Sequence, residues 1–276
     1  MQQWIDTGGL KGGQAIQAQG ISEIHRRFCQ LLPGEFRKRD VKVGNHIAIS
    51  PGALPRFLQR FEQVYGHLGK ADCIVSSAAA HHRLLWMHPF MDGNGRVARL
   101  MSHAMLLDIL DTGAVWSVAR GLARNVQEYK TLLANCDLPR RGHLDGRGSL
   151  SQEALAEFTR FFLTVCIDQV IFMDSLMQPD HLRTRILLWA EEEIRLGHLP
   201  AKSAGILEAL LYRGELPRGD AGSILGTGER QARRIVSALL DKGVLVSDNP
   251  RAPLRLAFPA ALASRWLPGL FPDKPA

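Results

Sequence analysis

Between two stretches of helical periodicity the chain carries HPFMDGNGRVAR, residues 88–99, and no other segment restricts the fold so tightly. The residues before it, CIVSSAAAHHRLLWM, and after it, RVARLMSHAMLLDIL, both read as helices. Pro89 restricts the residue that precedes it, and the glycines of Asp92-Gly93-Asn94-Gly95 favour a tightly turned backbone. The first helix must therefore stop and a second one start afresh, with the glycine-rich turn on its N-terminus. Unpaired amides and the positive end of the helix dipole meet at such a place, which makes it an anion site.

The side chains around the turn sharpen that reading. Arg96 and Arg99 stand three apart on the new helix and share a face, offering guanidinium forks to phosphate oxygens. Asp92 is an oxygen ligand of the kind Mg²⁺ accepts when the rest of its shell is substrate phosphate. Asn94 can donate to a phosphate oxygen or cap the helix. His88 has an ordinary pKa near neutrality and can take a proton from an attacking hydroxyl. The set describes in-line nucleotidyl or phosphoryl transfer. A calcium loop starting at Asp92 fails, because Arg96 falls at position five, Val97 at the glycine position and His103 at that of the bidentate glutamate. His81 and His82 read as structural rather than as metal ligands, since His82 lies in an apolar stripe and a helix end separates it from His88.

The rest of the chain has apolar spacings of three and four: Ile21, Ile24, Phe28, Leu31; Leu54 through Leu68; Val75, Ala79, His82, Trp86; Leu155, Phe158, Phe162, Val165. A mainly α fold is expected, a helical bundle, its fourth stripe opened by a capping box from Ser149 to Gln152. One interruption, VKVGNHIAIS, alternates about a Gly44-Asn45 turn and reads as a β-hairpin, marginal by itself and suited to receive another strand. After residue 197 the order helix, short helix, turn, helix, hairpin is that of a winged helix, a small α+β domain. The expected organisation is a linker or frayed segment at 1–19, a catalytic domain at 20–197 and a winged helix at 198–276. Four scattered cysteines without a CxxC pair suggest free thiols, and the absence of a leader pattern or of a long apolar run suggests a cytoplasmic protein with no membrane span. A formal charge of +7 at pH 7 favours an anionic partner, although solubility alone would account for it.

Position for position, residues 88–99 resemble the signature of Fic proteins, H-x-F-x-[DE]-G-N-G-R-x-x-R. The hairpin is similar to that family's flap, and LDGRGSLSQEALAEFTRFFL at 144–163 is similar to the segment after its core. The resemblance implies a Fic-type bundle that transfers AMP from ATP, with Mg²⁺, to a Ser, Thr or Tyr hydroxyl of a target protein and releases pyrophosphate. It implies that His88 is the base, that Asp92 holds the metal, and that Asn94 with the amides about Gly93 and Gly95 stabilises the α-phosphate. Arg96 would act on the bridging or β-phosphate, Arg99 on the γ-phosphate, while Phe90 points into the core and fixes the loop. The flap, Val41, Val43, Gly44, Asn45, His46 and Ile47, would hold the target by strand addition. Tyr129 stands where relatives carry an aromatic near the adenine, a packing tyrosine being the alternative.

The family's inhibitory pattern, [ST]-x-x-x-E-[GN], finds no convincing copy; SLSQEA offers Ser149 and Glu153 in the wrong setting. Either a partner supplies it in trans or the chain begins after it, and in both cases Arg99 should be free for ATP and the chain active alone. Arg230, Arg233 and Arg234 on the third helix of the C-terminal domain, with Arg251 and Arg255 on the wing, fit DNA phosphates, a docking or dimer module being the alternative. A homodimer stays open. The competing function is a DNA-binding regulator whose Fic-like core senses nucleotide without transferring it, which the intact His88 argues against.

Overall fold

A computed structural model of the chain describes residues 4–30, 32–44, 46–110 and 117–270. Leu31 and Asn45, both named above, lie outside the described residues. The chain divides into two compact units, Met1–Ile171 and Phe172–Ala276.

In the first unit, helix α1 (Ala18–Arg26) buries Ile21 and Ile24 on one face. The hairpin β1 (Lys42–Val43) and β2 (His46–Ile47) follows, its antiparallel register pairing Lys42 with Ile47 and Val43 with His46. Helix α2 (Leu54–Tyr65) carries a proline in its first turn, where a missing N–H costs nothing, and buries Leu54, Leu58 and Phe61. The central pair is α3 (Lys70–Met87) and α4 (Asn94–Ile109), on either side of the glycine-rich turn. Helix α4 is buried nearly all round, through Val97, Ala98, Met101, Ser102, His103, Ala104, Met105 and Leu106, which makes it the axis of the bundle. Burial of each large side chain here, Leu84 and Met87 among them, is worth about 1.5–3 kcal/mol. Helices α5 (Val118–Arg124) and α6 (Val126–Asn135) follow, then α7 (Gln152–Met177), whose last turns, from Phe172, belong to the second unit.

Several expectations need correction. The first residues are not a loose linker, because Ile5, Leu10, Ala15 and Ile16 are buried in the same core as α4. Asp6 accepts from His103 at 2.8 Å, and the amides of Gly12 and Gly13 donate to the Asp108 carboxylate at 3.0 and 2.9 Å, so polar bonds hold this segment as well. On α3 the expected stripe is met at His82, which is buried, but Val75 is exposed and Ala78, His81, Leu84 and Met87 also turn inward. The capping box at Ser149 does not form. Ser151 caps α7 through Ala154 N–H at 3.1 Å, and Asp145 Oδ1 accepts from the amides of Gln152 and Glu153 at 2.7 and 2.8 Å. Burial alone would raise the Asp145 carboxyl, but the Arg141, Glu153 and Gln152 amides and the Ser151 hydroxyl together hold it at about 2.

The second unit contains α8 (Pro179–Arg195), α9 (Ser203–Arg213), β3 (Glu215–Leu216), α10 (Ala221–Leu225), α11 (Glu229–Asp241), β4 (Leu245–Val246), β5 (Leu254–Leu256) and α12 (Ala263–Trp266). Its sheet runs β3-β5-β4, all antiparallel. The two-residue β3 is too short to show alternation and went unseen in the sequence. Helix α8, placed by sequence before a boundary at 197/198, packs within this unit: Trp189 meets Trp266 edge-on at 5.2 Å, and Lys242 binds Glu193 at 2.8 Å. Among the described residues no single helix is long and apolar enough to cross a membrane, and no disulfide joins any of the four cysteines.

Candidate active site

The turn from α3 to α4 is assembled from two left-handed residues. His88 closes α3 with φ 49° and Gly93 opens α4 with φ 79°. At Gly93 a side chain would be strained by the backbone and would also bring a Cβ within 2.9 Å of the Phe28 ring. The amides of Arg96 and Val97 return to the Gly93 carbonyl at 3.0 Å, whereas those of Gly93, Asn94 and Gly95 make no hydrogen bond among the described residues. Three donors are thus left at the positive end of a helix, the anion cradle read from the sequence.

His88 donates from Nδ1 to the Leu85 carbonyl at 3.3 Å, which fixes the neutral tautomer and leaves the Nε2 lone pair to act as a base. Burial pulls its pKa below the ordinary histidine value and outweighs the Leu85 hydrogen bond; the nearby Arg37 and His46 act with burial, and Asp92 opposes. The Asp92 carboxylate is exposed, with Arg96 Nη2 at 3.5 Å. The Arg96 guanidinium lies 4.5 Å from the centre of the Phe28 ring, which steers its plane. Among the described residues no carboxylate pairs with Arg99, and no three His, Cys, Asp or Glu side chains group to hold a metal.

At Asn94 the expected role changes, and at Tyr129 the packing alternative is the one observed. Asn94 is 2% exposed, and its side chain is bonded twice to the backbone of Phe90: Oδ1 accepts from Phe90 N–H at 3.0 Å and Nδ2 donates to Phe90 O at 2.9 Å. It staples the turn to itself, which leaves its backbone amide and one Nδ2 hydrogen for an anion. Tyr129 is 7% exposed and offers no open ring face for an adenine; it packs against His81 and Phe158. Its hydroxyl touches the Arg99 guanidinium and sits 2.8 Å from His81 Nε2. Ser102 donates to the Ala98 carbonyl at 2.9 Å, so it accepts from His81 Nδ1 at 2.9 Å, and Tyr129 must donate to Nε2. His81, fully enclosed, is pushed by burial to about 3 and stays neutral. The chain Arg99, Tyr129, His81, Ser102 therefore has one consistent proton arrangement, and it places the second arginine.

His25 and Arg37 went unnoticed in the sequence. His25 stacks on Phe90 with ring centres 3.9 Å apart, donates from Nε2 to the Asp92 carbonyl at 3.1 Å and accepts from Gly34 N–H at 3.0 Å. Phe90, fully buried, fixes the loop as expected. In the flap, Val43 and Ile47 are exposed, Ile47 by 71%, while His46 turns inward and donates to the Trp86 carbonyl at 2.7 Å. His82 is structural, donating to Asp137 Oδ1 at 2.9 Å. In the second unit Arg230, Arg233 and Arg234 are exposed on α11, but Arg233 binds Glu229 at 2.8 Å, and on the wing Arg255 binds Asp248 at 2.6 Å.

Fold and turn together define a helical bundle that presents a backbone anion cradle beside an imidazole. Residues 15–106, about a third of the chain, match the family model described as Fic/DOC family. The curated proteins named Protein adenylyltransferase Fic from Drosophila erecta and Drosophila melanogaster are each 39% identical to it over 98 residues, 33% of this chain and 20% of theirs. The chain thus spans about a fifth of the length of the curated relatives it matches. A Fic family protein from Desulfovibrio desulfuricans G20 aligns over 94% of this chain and 73% of its own, at TM-score 0.49 and 18% identity. A Fic domain containing signaling protein from Bacteroides thetaiotaomicron VPI-5482 aligns over 62% and 67%, at TM-score 0.45 and 20% identity.

Proposed function

We propose that this chain is a protein adenylyltransferase, moving AMP from ATP to a hydroxyl side chain of a target protein. The observation that carries the reading is the coincidence of three unbonded amides at the start of α4 with a histidine whose Nδ1 proton is already committed. His88 Nε2 takes the hydroxyl proton, the oxygen forms a bond to the α-phosphorus, and the bond from that phosphorus to the bridging oxygen breaks, so that pyrophosphate leaves. The amides of Gly93 to Gly95 receive charge on the phosphate oxygens, and Arg96 and Arg99 neutralise the departing diphosphate. Asp92, open to solvent and the one carboxylate of the turn, suits a Mg²⁺ ion that arrives with the phosphates rather than a resident metal caged by protein. Such an ion, when bound, would offset phosphate charge. The exposed hairpin offers main-chain groups to an extended target segment. A cytoplasmic location fits a reaction that consumes ATP.

The test is purified chain with Mg²⁺, α-labelled ATP and a lysate, beside His88→Ala. Transfer should fall by about 10² to 10⁴ while ATP binding persists. Unchanged transfer by the alanine variant would sink the assignment, and binding without any transfer by the native chain would favour the nucleotide-sensing regulator.

A second reading concerns the C-terminal unit, where the order α9, β3, α10, α11, β4, β5 and the strand sequence β3-β5-β4 support a winged helix. Arg230 and Arg234, one turn apart on the exposed face of α11, are the charges available to DNA phosphates.

A further inference from the structure

We propose that Arg37 is the positioning residue of this site, locking the catalytic imidazole and the base of the flap into one unit, so that the proton acceptor and the edge that presents the target are set together. The inference rests on the adenylyl-transfer reading for what is positioned; the geometry itself is independent of it.

Arg37 is 3% exposed, and among the described residues no carboxylate forms an ion pair with it. Its guanidinium is spent on backbone carbonyls instead. Nε donates to His88 O at 2.7 Å, Nη1 to Arg39 O at 2.9 Å, and Nη2 to Met87 O at 3.3 Å and to Ile49 O. Its own amide donates to Pro89 O at 2.9 Å. Three segments meet on one residue: its side chain reaches Arg39 before the hairpin, Ile49 after it, and Met87 and His88 where α3 runs into the turn, and its amide reaches Pro89.

Each bond answers a specific need. Met87 and His88 present the orphan carbonyls of a helix C-terminus, where a cation is favoured by the dipole. A left-handed backbone costs a non-glycine residue about 1–2 kcal/mol, and His88 is held there by the bond to its carbonyl. The hairpin has two residues in each strand, too few to fix its own place, and Arg37 reaches both of its feet. Only a planar fork can point donors at carbonyls on both sides; a lysine ammonium replaces it with one point charge. The same charge helps hold the imidazole in its basic form.

The experiment compares Arg37→Lys and Arg37→Gln with the native chain, using ATP affinity by calorimetry, the rate of AMP transfer into lysate protein against pH, and the NMR titration of the His88 ring. ATP affinity should be unchanged, because Arg37 touches no amide of the cradle. Transfer should fall by about tenfold to a hundredfold in both variants, the cost of a misplaced reacting group. The His88 titration should move to higher pH in Arg37→Gln and stay in place in Arg37→Lys, which retains the charge. Native rates in Arg37→Lys, loss of ATP affinity in step with rate, or loss of cooperative melting in both variants would overturn the proposal. A native chain that transfers no AMP would refute the reaction assignment alone, since the response of the ring titration to residue 37 is read without turnover.

Discussion

Replacing Asn94 by alanine separates two accounts of the same residue. If the amide works on the nucleotide, its loss slows transfer and leaves the fold alone. The structure says otherwise: both of its polar atoms are bonded to Phe90, at 3.0 and 2.9 Å, in a place without solvent. Alanine would leave the Phe90 N–H and C=O buried without partners, at about 1–3 kcal/mol each. A loss of about 2–6 kcal/mol for the pair corresponds to a melting temperature lower by about 4–24 °C in a unit of this size. Because Phe90 and Gly93 bracket the turn, the cradle amides shift too, and a displacement on the order of 1 Å costs about a hundredfold in rate. Thermal melts of the chain and initial rates of transfer from labelled ATP measure both. Asn94→Asp should be no better, because it keeps the acceptor for Phe90 N–H but sets a carboxylate oxygen against Phe90 O. A normal melt with transfer abolished would refute the staple and return Asn94 to the phosphate.

Three further outcomes follow from the site. The base must be neutral, and burial lowers its pKa, so the acid limb of kcat/KM should lie below the ordinary value of about 6.5 and the rate should be flat from there to neutrality; a midpoint at or above that value would contradict the assigned tautomer and setting. Tyr129→Phe removes the hydroxyl that touches Arg99 and donates to His81, so KM for ATP should rise severalfold with kcat nearly kept, and an unchanged KM would show that Arg99 needs no such support. On the proposal that the C-terminal unit binds duplex DNA, that binding should weaken steeply with salt, the log–log slope flattening by about 0.9 for each phosphate left without its arginine in Arg230→Ala or Arg234→Ala and less in Arg233→Ala, already paired with Glu229; salt-independent binding, or none, would overturn it.

Much of this was legible in the order of residues. The cradle was, because proline and glycine act on the backbone locally: Pro89 and Gly93 impose the stop and the restart whatever surrounds them. The bundle was legible too, although α3 shows where periodicity gives out. That helix is packed on more than one side, so its small and polar residues, Ala78, Ala80 and His81, turn inward while Val75 faces solvent. The N-terminal segment was misread for a related reason. Its glycines and short apolar residues carry no period, and it is held by two amides on Asp108 and by the Asp6–His103 pair, contacts almost a hundred residues apart in the chain. Tyr129 was left open between an adenine contact and a packing tyrosine, and the structure shows the buried one; its sequence neighbourhood says nothing of the His81 beneath it.

His25 and Arg37, which the sequence did not single out, share one property with the side chain of Asn94, and it bears on how a site of this kind works. His25, Arg37 and the side chain of Asn94 bond to backbone, at Asp92 O, His88 O and Phe90 N–H and O. The groups that would touch phosphate are themselves largely backbone, the amides of Gly93 to Gly95, and a backbone amide has no rotamer of its own to adjust. Its aim is set by the φ and ψ of a turn whose glycines add little rigidity. A cradle of amides therefore needs buried polar side chains such as His25 and Asn94 to fix that turn, and each must be well bonded, because an unsatisfied polar atom there would cost as much as the staple returns. His25 meets the condition with a donor to Asp92, an acceptor for Gly34 and a stacked face on Phe90; it does so only as the neutral ring, and burial accordingly holds its pKa below the ordinary histidine value. The same physics that keeps His88 ready to accept a proton keeps His25 from taking one, so acid would disarm the base and loosen the turn together.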